Sequence, residues 1–540
     1  MAVCLNTESA NKMFRVMVHD EYFVDKSGLI EIVNARINTM NRYLCVTKPR
    51  RFGKTSVLNM LGAYYCRAYD TSALFERLNI SKSKSYREHL NRYNVIHLCL
   101  NRLPDYGNAF DDYISIIRDS IKYDIQEAYP KVCDKEFGSI VDMLAATGDQ
   151  FIFIIDEWDY MFSHELYPEH YGDFLEFLRN LLKDQPYVAL VYMTGVLPVK
   201  KYSTGSALNM FKEYTMLKDP HFEKYFGFTE DEVKALCARQ QTLTMDELSE
   251  WYDGYQARDG ARLYNPRSVV CALEDAVCQS YWTRTGKLDE VLFFLKYNIG
   301  EVRDDVVKMI NGMPVRISIE EEYSAGQGNP KNRAIEDTEI KNREEIYSAM
   351  IIYGLLSYYD GEISIPNKEL MLEFQKALKD DDFGYVAELV RNSDEVLEAT
   401  LDKKGDIVAS YLHNIHNSEL PVLKYNDENS LSCVVTLAYL SARNKYKIER
   451  EEKSGKGFAD FIFHPRRRDL PGILLELKAD AAPEAAISQI KNKEYCQKLW
   501  QEEVKNILAV GLSYDTKKKN HQCVIEEITM PDDRIKNSQK

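Results

Sequence analysis

Between Tyr43 and about Gly195 the chain alternates short apolar runs with helix-like stretches. The runs are YLCVT (Tyr43–Thr47), VIHLCL (Val95–Leu100), FIFII (Phe151–Ile155) and VALVYMT (Val188–Thr194). Strands that read as continuous apolar runs, separated by helices, predict a parallel sheet covered on both faces.

From about His221 to Thr400 the pattern is mainly amphipathic and helical. TEDEVKALC (Thr229–Cys237) opens with a threonine N-cap and an acidic first turn, and LLSYYDGEISIPN (Leu355–Asn367) predicts a hairpin turning at Asp360-Gly361. SAGQGNP (Ser324–Pro330) reads as a loop. Beyond about Asp427 a helical segment (Ser430–Ala442) precedes strands at Lys445–Arg450, Phe458–His464 and Gly472–Leu477. A long helix (Pro483–Trp500) and a strand (Ile507–Leu512) follow, which gives α-β-β-β-α-β. These shifts in texture place domains at 1–220, 221–404 and 405–540, an α/β multidomain chain with a mainly helical middle region.

The length of 540 residues exceeds what one core supports, in agreement with several domains. A net charge of −15 argues against a generally basic, nucleic-acid-coating protein, although local clusters occur at Lys48–Arg51, Arg466–Arg468 and Lys517–Lys519. By default each is a solvated face, and only its position beside a site raises it above that. Eleven cysteines without a CxxC pair read as reduced thiols. No secretory signal is visible, and the most apolar run, Val188–Val199, is too short to span a bilayer. A cytoplasmic location without membrane contact is the expectation.

TKPRRFGKTS (Thr47–Ser56) carries the first chemistry. A strand feeds it, and TSVLNMLGAYY continues it as a helix, so backbone N–H groups at the helix start would face a phosphate. Gly53, Lys54, Thr55 and Ser56 would form the loop. Lys54 can reach the β- and γ-phosphates of ATP, and the Thr55 hydroxyl can hold Mg2+. The position five residues before Gly53, usually a glycine in such loops, is Lys48. FIFIIDEWD (Phe151–Asp159) then ends a buried strand in two carboxylates. Asp156 is placed to orient the metal or its water, and Glu157 to activate the attacking water. A third strand ends at Thr194, where a polar residue can sense the γ-phosphate.

YFVDKSGLI (Tyr22–Ile30), KPRRFGKTS, FIIDEWD, YMTGVLP, WYDGY (Trp251–Tyr255) and LYNPRSVV (Leu263–Val270) together resemble the bacterial AAA-ATPase-like family. The resemblance implies a P-loop NTPase domain whose loop commonly reads Arg-Pro-Arg-Arg-Phe-Gly-Lys-Ser, so the absent glycine is a family habit and Lys48 keeps the charge of its first arginine. Arg50 and Arg51 would then contact nucleotide phosphates or a neighbouring carboxylate, or simply be solvated.

GFADFIFHP (Gly457–Pro465) and GILLELKAD (Gly472–Asp480) form the second constellation. Asp460 and Glu476 are separated by fifteen residues, a hairpin's length, and Glu476 and Lys478 share one strand face. Two carboxylates can hold Mg2+ (or Mn2+), and the lysine can orient the water that attacks a phosphodiester. This order of residues within α-β-β-β-α-β resembles the PD-(D/E)XK nuclease fold. The resemblance implies a helix glutamate before the first strand, for which Glu428 is the candidate. It also implies a glutamine on the following helix, matched by Gln489, with Tyr495 beyond it.

The expected function is an ATP-hydrolysing protein coupled to a Mg2+-dependent endonuclease, acting on DNA rather than RNA; an oligomer is compatible with it. The alternative is a nucleotide-switched interaction or nucleic-acid-binding protein whose nuclease fold is not catalytic.

Overall fold

A computed structural model describes residues 3–103, 109–131, 137–202, 208–282, 295, 302–310, 312–319, 343–378, 385–416, 435–436, 438–454, 457–467 and 469–530. The chain divides into two compact units. One comprises Met1–Val302 with Pro314–Leu372, the other Arg303–Met313 with Glu373–Lys540.

The first unit is built on a five-stranded, wholly parallel sheet. Its strands are β1 (Tyr43–Thr47), β2 (Asn94–Cys99), β3 (Phe151–Asp156), β4 (Val188–Gly195) and β5 (Lys212–Tyr214), in the order β2-β3-β4-β1-β5. Every residue of β1, β3 and β4 is buried, which explains their uninterrupted apolar runs. Alternate residues of β3 face opposite layers. Phe151, Phe153 and Ile155 pack into one core with Ile117, Ile121 and Leu178 of helices Phe110–Ala128 and Tyr171–Leu182. Ile154 points the other way, towards Gly62 of α1 (Lys54–Tyr65), the helix that follows the phosphate loop. A β-carbon at Gly62 would come within 2.7 Å of Ala10, so the close seat of helix Ser9–Val18 on α1 needs glycine there.

Four of the five strands are those the hydrophobic pattern predicts. The fifth, β5, is a three-residue edge strand too short to carry a pattern. Thr229 caps helix Glu230–Cys237 with a reciprocal Glu232 bond, as its sequence indicates. The hairpin at Asp360-Gly361 pairs Ser357–Tyr359 with Glu362–Ser364; both turn residues have positive φ, +48° and +79°. Val315–Arg316 adds a third strand to it. The loop expected at Ser324–Pro330 lies outside the described residues.

The second unit carries a five-stranded mixed sheet in sequence order. Its strands are β6 (Tyr446–Ser454), β7 (Gly457–Pro465), β8 (Gly472–Ala479), β9 (Asn506–Asp515) and β10 (Asn520–Thr529). Only β8 and β9 run parallel. Their connection consists of two helices, α2 (Pro483–Asn492) and α3 (Cys496–Gln501), where the apolar pattern suggests one. Glu494 adopts φ +56°, and the Tyr495 amide bonds back to the Ile490 carbonyl at 3.2 Å, a left-handed C-terminal closure that stops α2. Strand β10 was not anticipated from the sequence. Its outer residues are polar, as befits an edge, and hide the alternation.

Among the described residues, no helix is long and apolar enough to cross a membrane. The cysteines described are all free thiols.

Candidate nucleotide and nuclease sites

The loop between β1 and α1 turns on two left-handed residues, Arg51 (φ +70°) and Gly53 (φ +89°). This turn brings the start of α1 beneath the carboxyl ends of β3 and β4. There Asp156 is nearly buried and fully engaged. Thr55 donates from Oγ1 to its Oδ2 at 2.9 Å, and Thr194 donates to its Oδ1 at 2.8 Å. Three sequence candidates on three elements thus meet at one carboxylate. The Thr55 hydroxyl and the Asp156 carboxylate supply the adjacent oxygen ligands that a hard divalent cation needs.

Lys54 donates to the carbonyls of Lys48 and Pro49, both at 2.8 Å. Burial lowers its pKa to about 8, against the pull of Asp159, Asp156 and Glu157. Glu157 is shifted the opposite way. Burial, then the Asp156 charge beside it, raises its carboxyl above the ordinary value, and a hydrogen bond from Asn101 opposes them. Glu157 stands on left-handed backbone (φ +52°).

Lys54, Thr55, Asp156 and Glu157 line one cavity of about 740 Å³, whereas Thr194 is fully buried and outside its lining, so it touches Asp156 and not the cavity. Gly53, Lys54, Thr55, Ser56, Asp156 and Glu157 form its floor. Arg50 is exposed at the rim, and Arg51 also lines the cavity, although its Nη1 donates to the Tyr281 carbonyl at 2.5 Å. Lys48 stands elsewhere. Its side chain is buried and paired with Asp219 at 2.7 Å, and it also donates to the Thr215 carbonyl. The charge carried at this position therefore ties the loop to the segment after β5 and does not face the cavity.

Several participants escape reasoning from the sequence. Asp159 accepts bonds from the backbone N–H groups of Val196 and Leu197, at 3.1 and 2.9 Å, and from Ser163. It thereby fixes the turn after Thr194. Its place in FIIDEWD was the available signal. A β-carbon at Gly195 would approach Asp159 Oδ1 to 2.4 Å and Trp158 to 2.5 Å, so only glycine fits between them. The far wall of the cavity is apolar and basic, built by Tyr22, Phe23, Val24, Phe228, Arg267 and Val270. Arg267 and Val270 belong to helix Pro266–Asp275, capped by Asn265, within LYNPRSVV. In the N-terminal motif Asp25 holds the backbone amides of Ser27 and Asn79, while Lys26 lines the cavity as well as forming an ion pair with Glu232.

In the second unit the cross-strand register pairs Phe461 of β7 with Leu475 of β8, and Asp460 and Glu476 are the next residues along the two strands. The Leu477 amide donates to Asp460 Oδ2 at 2.7 Å, and the Asp460 amide lies 3.4 Å from Glu476 Oε2. Lys478 Nζ is 3.1 Å from Glu476 Oε1. Gln489, on α2, donates its amide to the same oxygen and reaches the buried Tyr495 hydroxyl at 3.3 Å. Burial, then the Asp460 charge, raises the Glu476 carboxyl above its ordinary value, and Lys478 opposes this. Two close carboxylates of which one is pushed towards protonation form a donor set that fits a divalent cation, because a metal would relieve both penalties. Glu428 lies outside the described residues.

Residues 11–204 match the family described as Predicted AAA-ATPase, and residues 426–523 match the PD-(D/E)XK nuclease superfamily. No curated protein matches the sequence. Among solved structures, the Walker-type ATPase PABY2304 of Pyrococcus abyssi is 13% identical, with a TM-score of 0.30 over 64% of this chain and 93% of its own. The Aeropyrum pernix ORC2 protein, solved as ADPNP–ADP complexes, is 14% identical, with a TM-score of 0.32 over 67% of this chain and 96% of its own. By the two family matches, the chain carries an AAA-ATPase-like domain followed by a PD-(D/E)XK nuclease-like domain.

Proposed function

We propose that the first unit binds and hydrolyses ATP and that the second cuts phosphodiester bonds in nucleic acid, DNA before RNA. The observation that carries the nucleotide reading is the meeting of Thr55 and Thr194 on Asp156, beside Lys54 and Glu157. In this reading the loop amides and Lys54 hold the phosphates, and the apolar wall of Tyr22, Val24 and Val270 takes the base. Mg2+, when bound at Thr55 and Asp156, neutralises charge that develops on the phosphates. Thr194 keeps Asp156 turned towards Thr55, and Glu157 accepts the proton of the attacking water. The raised Glu157 carboxyl makes it a better proton acceptor than an ordinary glutamate.

In the second unit Asp460 and Glu476 are the cation-holding pair, with Mg2+ or Mn2+ supplying Lewis acidity there. Lys478 positions the water, and Gln489 holds the Glu476 carboxylate in orientation. ATP turnover would control when cutting occurs, in the cytoplasm and without a membrane partner. The test is incubation of the purified chain with labelled DNA and RNA, with Mg2+ or Mn2+, with and without ATP. Cleavage that Asp460→Ala lacks supports the reading. Equal cleavage by the variant, or none by the parent, overturns the nuclease half and leaves a nucleotide-switched interaction protein.

A further inference from the structure

Of the two basic clusters in the second unit, one sits at the far end of the sheet from the candidate nuclease centre and one sits beside it. Arg466 and Arg467 follow β7 at the turn into β8, six and seven residues beyond Asp460, or roughly 20 Å along the strand at about 3.3 Å per residue. Arg467 is also neutralised by a two-point pair with Asp469, at 2.9 and 2.6 Å.

Lys517, Lys518 and Lys519 form the turn between β9 and β10. Strand β9 runs parallel to β8, with Lys478 beside Ser513 and Ala479 beside Tyr514. The turn therefore leaves the sheet at the end where Lys478 stands. It is braced there: Asp480 accepts from the Thr516 amide at 2.8 Å and from the Thr516 hydroxyl at 2.7 Å, and its own amide bonds to the Tyr514 carbonyl. Asp515 accepts from the amides of Lys517 and Lys518, which closes the turn. All three lysine side chains are exposed; Lys518 lies 3.8 Å from Asp515, and Lys517 stands near enough to Asp480 to help the Thr516 bonds hold that carboxyl below its ordinary value.

We propose that the Lys517–Lys519 turn holds the phosphate backbone of the nucleic acid whose scissile bond lies at Asp460, Glu476 and Lys478. This rests on the nuclease reading above. Lys478 is level with Ser513, two residues or about 7 Å before β9 ends at Asp515, and the lysine turn follows directly. That is about two nucleotide steps at 3.4 Å each, so the turn meets the nucleic acid within a few phosphates of the cut. In a chain of net charge −15 the approach of a polyanion is unfavourable over most of the surface. Three solvated ammonium groups held beside the centre offset that repulsion where it matters. They contact phosphates and not base edges, so they add affinity without sequence preference.

The experiment uses the full chain with Asp460→Asn, which prevents cleavage, and a labelled DNA duplex titrated over a range of NaCl concentrations. Lys517→Gln/Lys518→Gln/Lys519→Gln is expected to weaken binding at low salt at least tenfold and to reduce the slope of log Kd against log salt by about 2 to 3. Arg467→Gln is expected to leave both unchanged. Parent-like affinity and slope in the triple variant, or an equal loss in Arg467→Gln, would overturn the proposal. If the chain with Asp460 intact cleaves DNA while the triple variant binds like its parent, the turn alone is misassigned. If that chain neither binds nor cleaves DNA, the nuclease reading falls with it.

Discussion

Lys48 and Asp219 form a buried ion pair, 2.7 Å apart with each side chain 2% exposed. Asp219 also accepts from the amides of His221 and Phe222, at 3.0 and 2.6 Å, so one carboxylate fastens both the phosphate loop and the turn after β5. Removing one partner strands the other charge in the interior. Asp219→Ala is expected to destabilise the first unit by about 3–5 kcal/mol, and the apolar pair Lys48→Met/Asp219→Leu should recover most of that loss. Thermal unfolding of the three chains decides it. A melting temperature for Asp219→Ala equal to that of the parent would show that the pair does not brace the loop.

Turnover variants separate the roles at the nucleotide site. Lys54→Ala should lose ATP binding and hydrolysis with the fold intact. Glu157→Gln should bind ATP as the parent does and slow hydrolysis by about 100-fold or more, the usual worth of a general base. Thr194→Val, which removes a bond to Asp156 and no phosphate ligand, should lower kcat with little change in KM. Equal losses of binding in Lys54→Ala and Glu157→Gln would mean that the carboxylate has been misread.

The depressed pKa of Lys54, about 8, makes nucleotide affinity depend on pH. The charged groups around it are Asp159, Asp156, Glu157 and Arg50. Below pH 8 the ammonium is protonated and ready for phosphate. Above it a proton must be taken up on binding, because the phosphates hold the charged form. Affinity for a non-hydrolysable ATP analogue should therefore be flat up to about pH 7.5. It should then fall by as much as tenfold per pH unit, the effect of one linked proton. Lys54→Arg, always charged, should abolish the fall. An unchanged profile in that variant would assign the effect elsewhere.

At the second site, Mg2+ or Mn2+ should slow hydrogen exchange in β7 and β8, through relief of the Asp460–Glu476 repulsion and mass action. Reading exchange strand by strand distinguishes this from metal at the nucleotide site. Asp460→Ala and Glu476→Ala should remove the protection, and Lys478→Ala should retain it while abolishing cleavage. Because the Glu476 carboxyl is raised, protection should weaken as pH falls through its pKa, at a higher pH than an ordinary glutamate would give. Protection that survives Glu476→Ala would exclude a shared cation.

Much of this arrangement was legible in the residues themselves. Buried parallel strands leave continuous apolar runs, so β1 to β4 were visible, and the carboxylates ending β3 follow from one of them. Glu476 and Lys478 share a face by strand geometry alone, and Gln489 joins them because α2 lies against β8. What stayed hidden depends on long-range contacts. The partner of Lys48 is 171 positions away in sequence, and nothing near Lys48 announces Asp219. Asp159 is visible as a residue, but its grip on Val196 and Leu197 needs β3 and β4 to be adjacent. Likewise, the difference between the Arg466 and Lys517 clusters is one of strand direction, which composition does not carry.

The left-handed backbone at Glu157 sets the function of that position against its stability. A non-glycine residue there bears a conformational cost of order 1 kcal/mol, and this side chain adds repulsion from Asp156 and Asp159. Glycine at 157 would remove both penalties at once. Glu157→Gly is expected to melt about one to two degrees higher than the parent while hydrolysing almost no ATP. Selection for thermal robustness alone would then erode this domain at its candidate base, and a library screened only for folding should enrich that loss.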